Sequence, residues 1–511
     1  MKIMADRRTI ARRPAMMGII ALLTILLGAC GTESLFDTEP VIPGPDAPLV
    51  AADVTSIVRN AALAVEGTLS IAVTDRAGNV LGVFSRPDPG SGTSEEGAVS
   101  LARTASFFSN DQAPLSSRTV GFISRENFPG FVKNTPSAAL FGIENTNRGC
   151  DLTSAGAAPY LPGQALPQAT NIPNTAPGSG VTTRPGGIPL FRNGRLIGGI
   201  GVVADTDDSA EFAALSGSSG FEPSVPAPGR IFIDGIELPF AEATEVPSRV
   251  GPGSFPGTGA FRAGFGAIPS GNITAPFVPE GYLIGPVAGT RLTISEVDSI
   301  VQNCIVQAGK TRAAIRLPLG SRTRMAIAVC EGAAGATQGQ LLALYRMADA
   351  TVFSVDVAAS KSRNVVYFSS TSRFAGDLPL VPVGTAVTNR TIGYGAQSFF
   401  PSGIPDSGPG PFRGLFDFDT QNPCTQGIDP GGTFPAANKS GVVFFPGSAP
   451  LYKGGVLVGG LGVSGDGVEQ DDVVTAAGAE GYLPDPSIRA DQIVIDNVRL
   501  PYFKFSRNPE E

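Results

Sequence analysis

The chain has 511 residues, with 37 Lys+Arg against 45 Asp+Glu and no histidine. The missing imidazole excludes serine–histidine and cysteine–histidine nucleophile pairs, a histidine general base and His-ligated zinc or haem, and the acidic balance argues against nucleic acid as a partner. Length and a 42% hydrophobic content suit two or more packed domains, while Gly 65 and Pro 44 demand long loops.

Lys2, Arg7, Arg8, Arg12 and Arg13 precede the apolar run 17–27, the charged and hydrophobic regions of a secretory signal. The run is too short to span a bilayer. It ends in Leu27-Gly28-Ala29-Cys30, which resembles the lipobox of bacterial lipoproteins. That resemblance implies removal of residues 1–29 and a diacylglyceryl Cys30 at the new terminus, so that the protein meets the membrane through a lipid anchor. Gly31, where a retained lipoprotein would carry Asp, implies an outer-membrane lipoprotein of the cell envelope facing the periplasm. Arg7-Arg8 and Arg12-Arg13 lack the surroundings of a twin-arginine signal. Residues 1–29 carry five basic side chains and one acidic, so a net charge of −8 becomes −12 after cleavage.

A tether over 30–50 leads into two copies of one element order, at 51–240 and 292–503. Each opens with a helical spacing: Val54, Ile57, Val58 and Ala61, then Val297, Ile300, Val301 and Cys304. Thr293 or Ser295 can cap the second of these. A hairpin follows, clearest where residues 69–73 turn through Asp75-Arg-Ala-Gly-Asn79 into 80–84. Further helices are predicted over 95–109 and 354–368, each ending in an aromatic–serine step, Phe108-Ser109 and Phe368-Ser369. Then come the best matches between the copies: Pro189-Leu-Phe191 with Gly198-Gly-Ile-Gly-Val202, against Pro450-Leu-Tyr452 with Gly459-Gly-Leu-Gly-Val463. Closing strands end in Leu238-Pro-Phe240 and Leu500-Pro-Tyr502.

Segments 131–185, 241–291 and 371–445 are rich in Pro, Gly, Ser, Thr and Asn; they read as an insertion in each copy and a linker between them, with a tail at 504–511. Cys150 and Cys424 occupy comparable places in the two insertions, so a bridge between them would tie the insertions together. Cys304 and Cys330 form either a second disulfide or a pair of reduced core thiols. No cysteine spacing matches a zinc site or a C-x-x-C redox pair.

The motifs Arg346-Met-Ala-Asp349-Ala, Phe353-Ser-Val-Asp356-Val-Ala with Lys361, Gly447-Ser-Ala-Pro450, and Gly459-Gly-Leu-Gly-Val-Ser-Gly465 with Gln470-Asp471 resemble the GlcG/HbpS family, also called haem-degrading or DUF336 domains. The first copy keeps Arg86, Asp88, Arg103 at the lysine position, and Gly186-Gly-Ile-Pro189; it reads Val203-Ala204-Asp205 where the second has Ser464-Gly465. The resemblance covers about three fifths of the chain, a rough tally against domain size. It implies an α/β (α+β) fold, with two antiparallel sheets flanked by helices. It also implies an internal pseudo-dimer or homo-oligomer, and haem or a corrinoid as the class of bound cofactor.

Haem bound without histidine needs Cys, Met, Tyr or Lys. Tyr345 and Met347 alternate onto one strand face beside Arg346, a candidate for ligation and propionate contact; the alternative is a buried face with one exposed arginine. Arg86 and Arg346 invite ion pairs with Asp88 and Asp349. Gly460-x-Gly462-x-x-Gly465 fits the dinucleotide fingerprint, but Asp466, Glu469, Asp471 and Asp472 would repel a pyrophosphate, so close backbone packing and helix charging are the better reading. Those acids do not match the twelve-residue calcium hand, and no metal site is assigned. Asp356 and Lys361 are five apart on one helix and point to different sides, with roles as a ligand contact at the helix edge or plain surface charge. No catalytic residues are assigned. The sequence therefore predicts an envelope protein that binds a small ligand of the tetrapyrrole kind; the alternatives are an adaptor for another envelope protein, or an enzyme modifying such a ligand.

Overall fold

A computed structural model describes residues 48–87, 92–130, 132, 134–150, 180–223, 231–233, 236–262, 280–315, 320–428, 434–435 and 438–510. Cys30, the signal segment and Asp88 lie outside the described residues.

Repeat one begins with α1 (Ala51–Ala64), whose Val54, Ile57, Val58 and Ala61 bury one face. The hairpin β1 (Leu69–Asp75) and β2 (Val80–Arg86) follows, then α2 (Gly92–Phe108) and α3 (Ser117–Ile123). Next come β3 (Gly187–Arg192), β4 (Arg195–Ala204) and α4 (Asp207–Gly217), with the short pair β5 (Ile231–Ile233) and β6 (Ile236–Leu238). At the hairpin turn Gly78 takes a φ of +85°, and the Asn79 N–H donates to Asp75.

The connecting segment supplies β7 (Ala260–Phe261) and β8 (Gly281–Ile284). Repeat two then runs through α5 (Ile294–Lys310), β9 (Ala326–Glu331), β10 (Leu341–Arg346), α6 (Phe353–Phe368) and α7 (Asn389–Gly395). It continues with α8 (Arg413–Gln421), β11 (Ser448–Lys453), β12 (Val456–Ser464) and α9 (Val468–Gly478), and ends on β13 (Val494–Ile495) and β14 (Val498–Arg499). Thr293 caps α5 reciprocally with Glu296. No helix among the described residues is long and apolar enough to cross a membrane.

The five-stranded sheets have the orders β3-β4-β1-β2-β7 and β11-β12-β9-β10-β8, with the pairings antiparallel throughout. The linker was expected to be loop, yet it lends one edge strand to each sheet. Alternation along the strands feeds both faces. Ile71 and Val73 join the core under α1 and α4, while Ala72 packs with Ala98 and Ala102 of α2. In repeat two, Ile327 and Val329 face α5 and α9, whereas Ala326, Ala328 and Cys330 lie in the core with α6.

The repeats share a third core, in which Phe107, Phe108 and Leu115 meet Val352, Phe353, Val357 and Phe445. Phe108 stacks on Phe353 with centroids 4.1 Å apart. Arg76 in the β1–β2 turn pairs with Asp349 at 2.9 Å, and Arg148 donates to the carbonyls of Asp419 and Thr420. Cys150 and Cys424 form a disulfide across the same junction. Cys304 and Cys330 are both buried and free, so of the two sequence readings the reduced core thiols hold. Burial alone raises the Cys304 thiol far above its ordinary range.

Candidate functional site

The glycine strands have a structural cause. A Cβ on Gly201 would lie 2.0 Å from the Ala98 carbonyl oxygen of α2, and one on Gly462 would lie 2.1 Å from that of Ala358 on α6. Gly199 and Gly460 are confined in the same way by Ala102 and Ser362. Helix backbone, and not a nucleotide, occupies the space the fingerprint keeps clear.

These contacts fix the correspondence between the copies. The β-carbon of Gly186 would meet Leu101 and Ala210, and that of Gly447 would meet Lys361 and Asp471. Leu101, not Arg103, therefore stands at the lysine position. Arg103 corresponds to Arg363, since each donates from Nε to a glycine carbonyl of its hairpin, Gly78 and Gly339.

Lys361 was expected at a helix edge or on the surface; it is 0% exposed. Its Nζ donates to the Val463 carbonyl at 2.7 Å and to Asp471 Oδ2 at 3.0 Å, and it lies 4.9 Å from the centre of the Phe445 ring. Burial pulls the lysine down and the aspartate up, while their mutual attraction opposes both shifts. The other Asp471 oxygen, Oδ1, is buried without a hydrogen-bond partner. Ser464 Oγ reaches Ser354 Oγ at 3.3 Å beside this cluster.

A second pair was not read from the sequence. Arg390 of α7 pairs with the fully buried Asp472 of α9, which also accepts the Lys504 N–H. In repeat one Arg118 of α3 pairs with Glu211 of α4, which accepts the N–H groups of Glu242 and Ala243. The signal was available: Arg118-Thr-Val-Gly-Phe122 and Arg390-Thr-Ile-Gly-Tyr394 are a further repeated motif. Its helix caps hold the chain just after the closing strands, because Ser116 and Thr119 donate to the Phe240 and Pro239 carbonyls as Thr388 and Thr391 do to those of Tyr502 and Pro501.

Tyr345 and Met347 do share a face, the one packed against α5 and α9. Met347 is 3% exposed inside that core, which leaves its thioether no open side for a metal. Tyr345 is half-buried and meets Tyr282 edge-on with centroids 5.0 Å apart, while the Tyr282 hydroxyl donates to Asp298. Arg346, read either as a propionate contact or as the exposed arginine of a buried face, is 1% exposed: its Nε donates to the Ala350 carbonyl, and Nη1 lies 3.6 Å from Glu280. Asp349 turns instead to Arg76 of repeat one. Arg86 likewise spends its guanidinium on the carbonyls of Ala62, Val65, Gly67 and Ser254. Among the described residues no group of three or more His, Cys, Asp or Glu could hold a metal ion.

The junction between the repeats contains a cleft of about 290 Å³. Its walls come from the end of α3, the segment after Phe141 and α8, and include Arg125, Phe141, Glu144, Thr183, Phe416 and Thr420.

Comparison with known proteins matches the family model described as haem degrading protein HbpS-like twice, at residues 49–218 and 305–480, more than half of the chain. Among solved structures, Klebsiella pneumoniae protein ORFY of family DUF336 is 16% identical, covering 37% of this chain and 88% of its own, with a TM-score of 0.23. A PduOC:heme complex is also 16% identical, covering 37% and 94%, with a TM-score of 0.23. HbpS is 20% identical, covering 34% and 92%, with a TM-score of 0.20. No curated protein matches the chain.

Proposed function

The chain belongs to the HbpS-like family of haem-degrading proteins, and on that premise we propose that it is a lipid-anchored envelope protein whose paired domains bind a tetrapyrrole-class ligand without transforming it. Family membership over both repeats is the observation that carries this reading. A chain without histidine must offer iron another donor, and tyrosine is an established one. Tyr345 is the candidate donor: its phenol is half-buried beside Tyr282, on the strand that leads into Asp349, which pairs with Arg76 of repeat one. Met347 serves the core in this reading, and Cys30 supplies attachment through its acyl chains.

An absorbance titration of the full chain in detergent with haemin, and separately with a cobalamin, tests the ligand. A saturable spectral shift that disappears in Tyr345→Phe and survives in Met347→Leu supports the site; no shift with either compound sinks the tetrapyrrole reading. Membrane fractionation tests the anchor, since Cys30→Ser should release the protein from the membrane fraction.

A further inference from the structure

We infer that the cleft between the repeats is a binding site for a small primary amine carrying one apolar group, separate from any tetrapyrrole site. Phe141 of repeat one and Phe416 of repeat two stack at 4.7 Å with planes 13° apart, giving the cleft an apolar wall to which each repeat contributes one ring. Glu144 supplies the charge. Its Oε1 accepts from the Thr183 N–H at 2.8 Å and lies 3.3 Å from the Thr183 hydroxyl, while Oε2 makes no hydrogen bond among the described residues. The other charged groups of the lining are already engaged. Arg125 lies across the Phe122 ring at 4.0 Å, and Glu126 pairs with Arg413 at 3.0 Å.

With Arg125 drawn over the Phe122 ring and the Glu126–Arg413 pair closed, an ammonium beside the apolar wall would find the Glu144 carboxylate oxygen. At about 290 Å³ the cleft sits at the small end of ligand pockets, roughly 300–1,000 Å³, a size for a one-ring molecule and not a macrocycle. The site needs both repeats, so it exists only because the domains are fused and held at this junction.

Calorimetric titration of the full chain with benzylamine, methylamine and benzoate tests the assignment. Saturable binding of benzylamine, at least fivefold weaker binding of methylamine and none of benzoate are expected. Glu144→Gln should weaken benzylamine at least fivefold, and Phe416→Leu should weaken it while leaving the preference for the amine over benzoate; unchanged melting temperatures confirm that both variants fold. Equal binding of benzoate, indifference to Glu144→Gln or no saturable binding of benzylamine overturns the proposal. Haemin titration of Glu144→Gln should match the parent chain, so the two sites fail independently.

Discussion

Leu101 and Ala210 in repeat one stand where repeat two places Lys361 and Asp471, yet both repeats close the same helix onto the same glycine strand. The Arg118–Glu211 and Arg390–Asp472 pairs, by contrast, are kept in both. The fold needs the second kind of pair, which gathers two helices and the chain that follows the closing strand, and does without the first. A buried ion pair can often be exchanged for apolar residues without loss, whereas removing one partner strands a charge. Lys361 and Asp471 thus mark where repeat two carries something beyond the common architecture.

The largest expected effect tests that contrast directly. Lys361→Leu alone should cost about 3–5 kcal/mol in denaturant unfolding by leaving Asp471 buried and unpaired, whereas Lys361→Leu with Asp471→Ala, repeat one's own pair, should recover most of it. Failure of the double variant to recover would break the equivalence of the two positions. Next in size, Cys150→Ser should lower stability by about 2–4 kcal/mol, read as a lower melting temperature, because the bridge closes a span of 274 residues across the junction. Gly201→Ala and Gly462→Ala should cost similar amounts, about 1–3 kcal/mol each, since both β-carbons meet helix carbonyl oxygens. A large inequality between them would show that one helix can retreat from its sheet.

The smallest effect concerns pH. Burial pushes Asp419 up to about 7, against the opposing pull of Arg148 and hydrogen bonds from the Val442 N–H and the Asn145 amide. A raised carboxyl pKa means that the folded chain holds the proton more tightly, so this stabilisation is complete below the ordinary value near 4 and is lost as pH rises through about 7. Between pH 6 and 7 the parent chain should lose about 1 kcal/mol more than Asp419→Asn, measured as paired unfolding curves.

The duplication was legible because the glycine strands and the Leu-Pro-aromatic endings keep their order and spacing. The Cys150–Cys424 bridge was legible from matching places in the two insertions. The lysine correspondence was not: Arg103 and Lys361 are both cationic and near each other in the aligned helices, and only the contacts of Gly186 and Gly447 reveal the two-residue slip. The burial of Arg346 escaped for a related reason. A cation on a strand reads as solvated, but here the turn into α6 folds the Ala350 carbonyl back onto the guanidinium. Asp471 lies 110 residues from Lys361, a pairing set by sheet packing and not by any local pattern.

The two edge strands lent by the connecting segment change what counts as one half of this protein. Division at residues 218 and 305, where the family match ends and resumes, would strip β7 from β2 and β8 from β10 and leave two ladders of unpaired backbone groups, the kind of edge that recruits strands from other chains. A cut between 262 and 280 would leave each sheet its own guard strand. The inherited unit of sequence and the unit that can safely exist in solution have therefore drifted apart, with the connector now the sealant of both sheets.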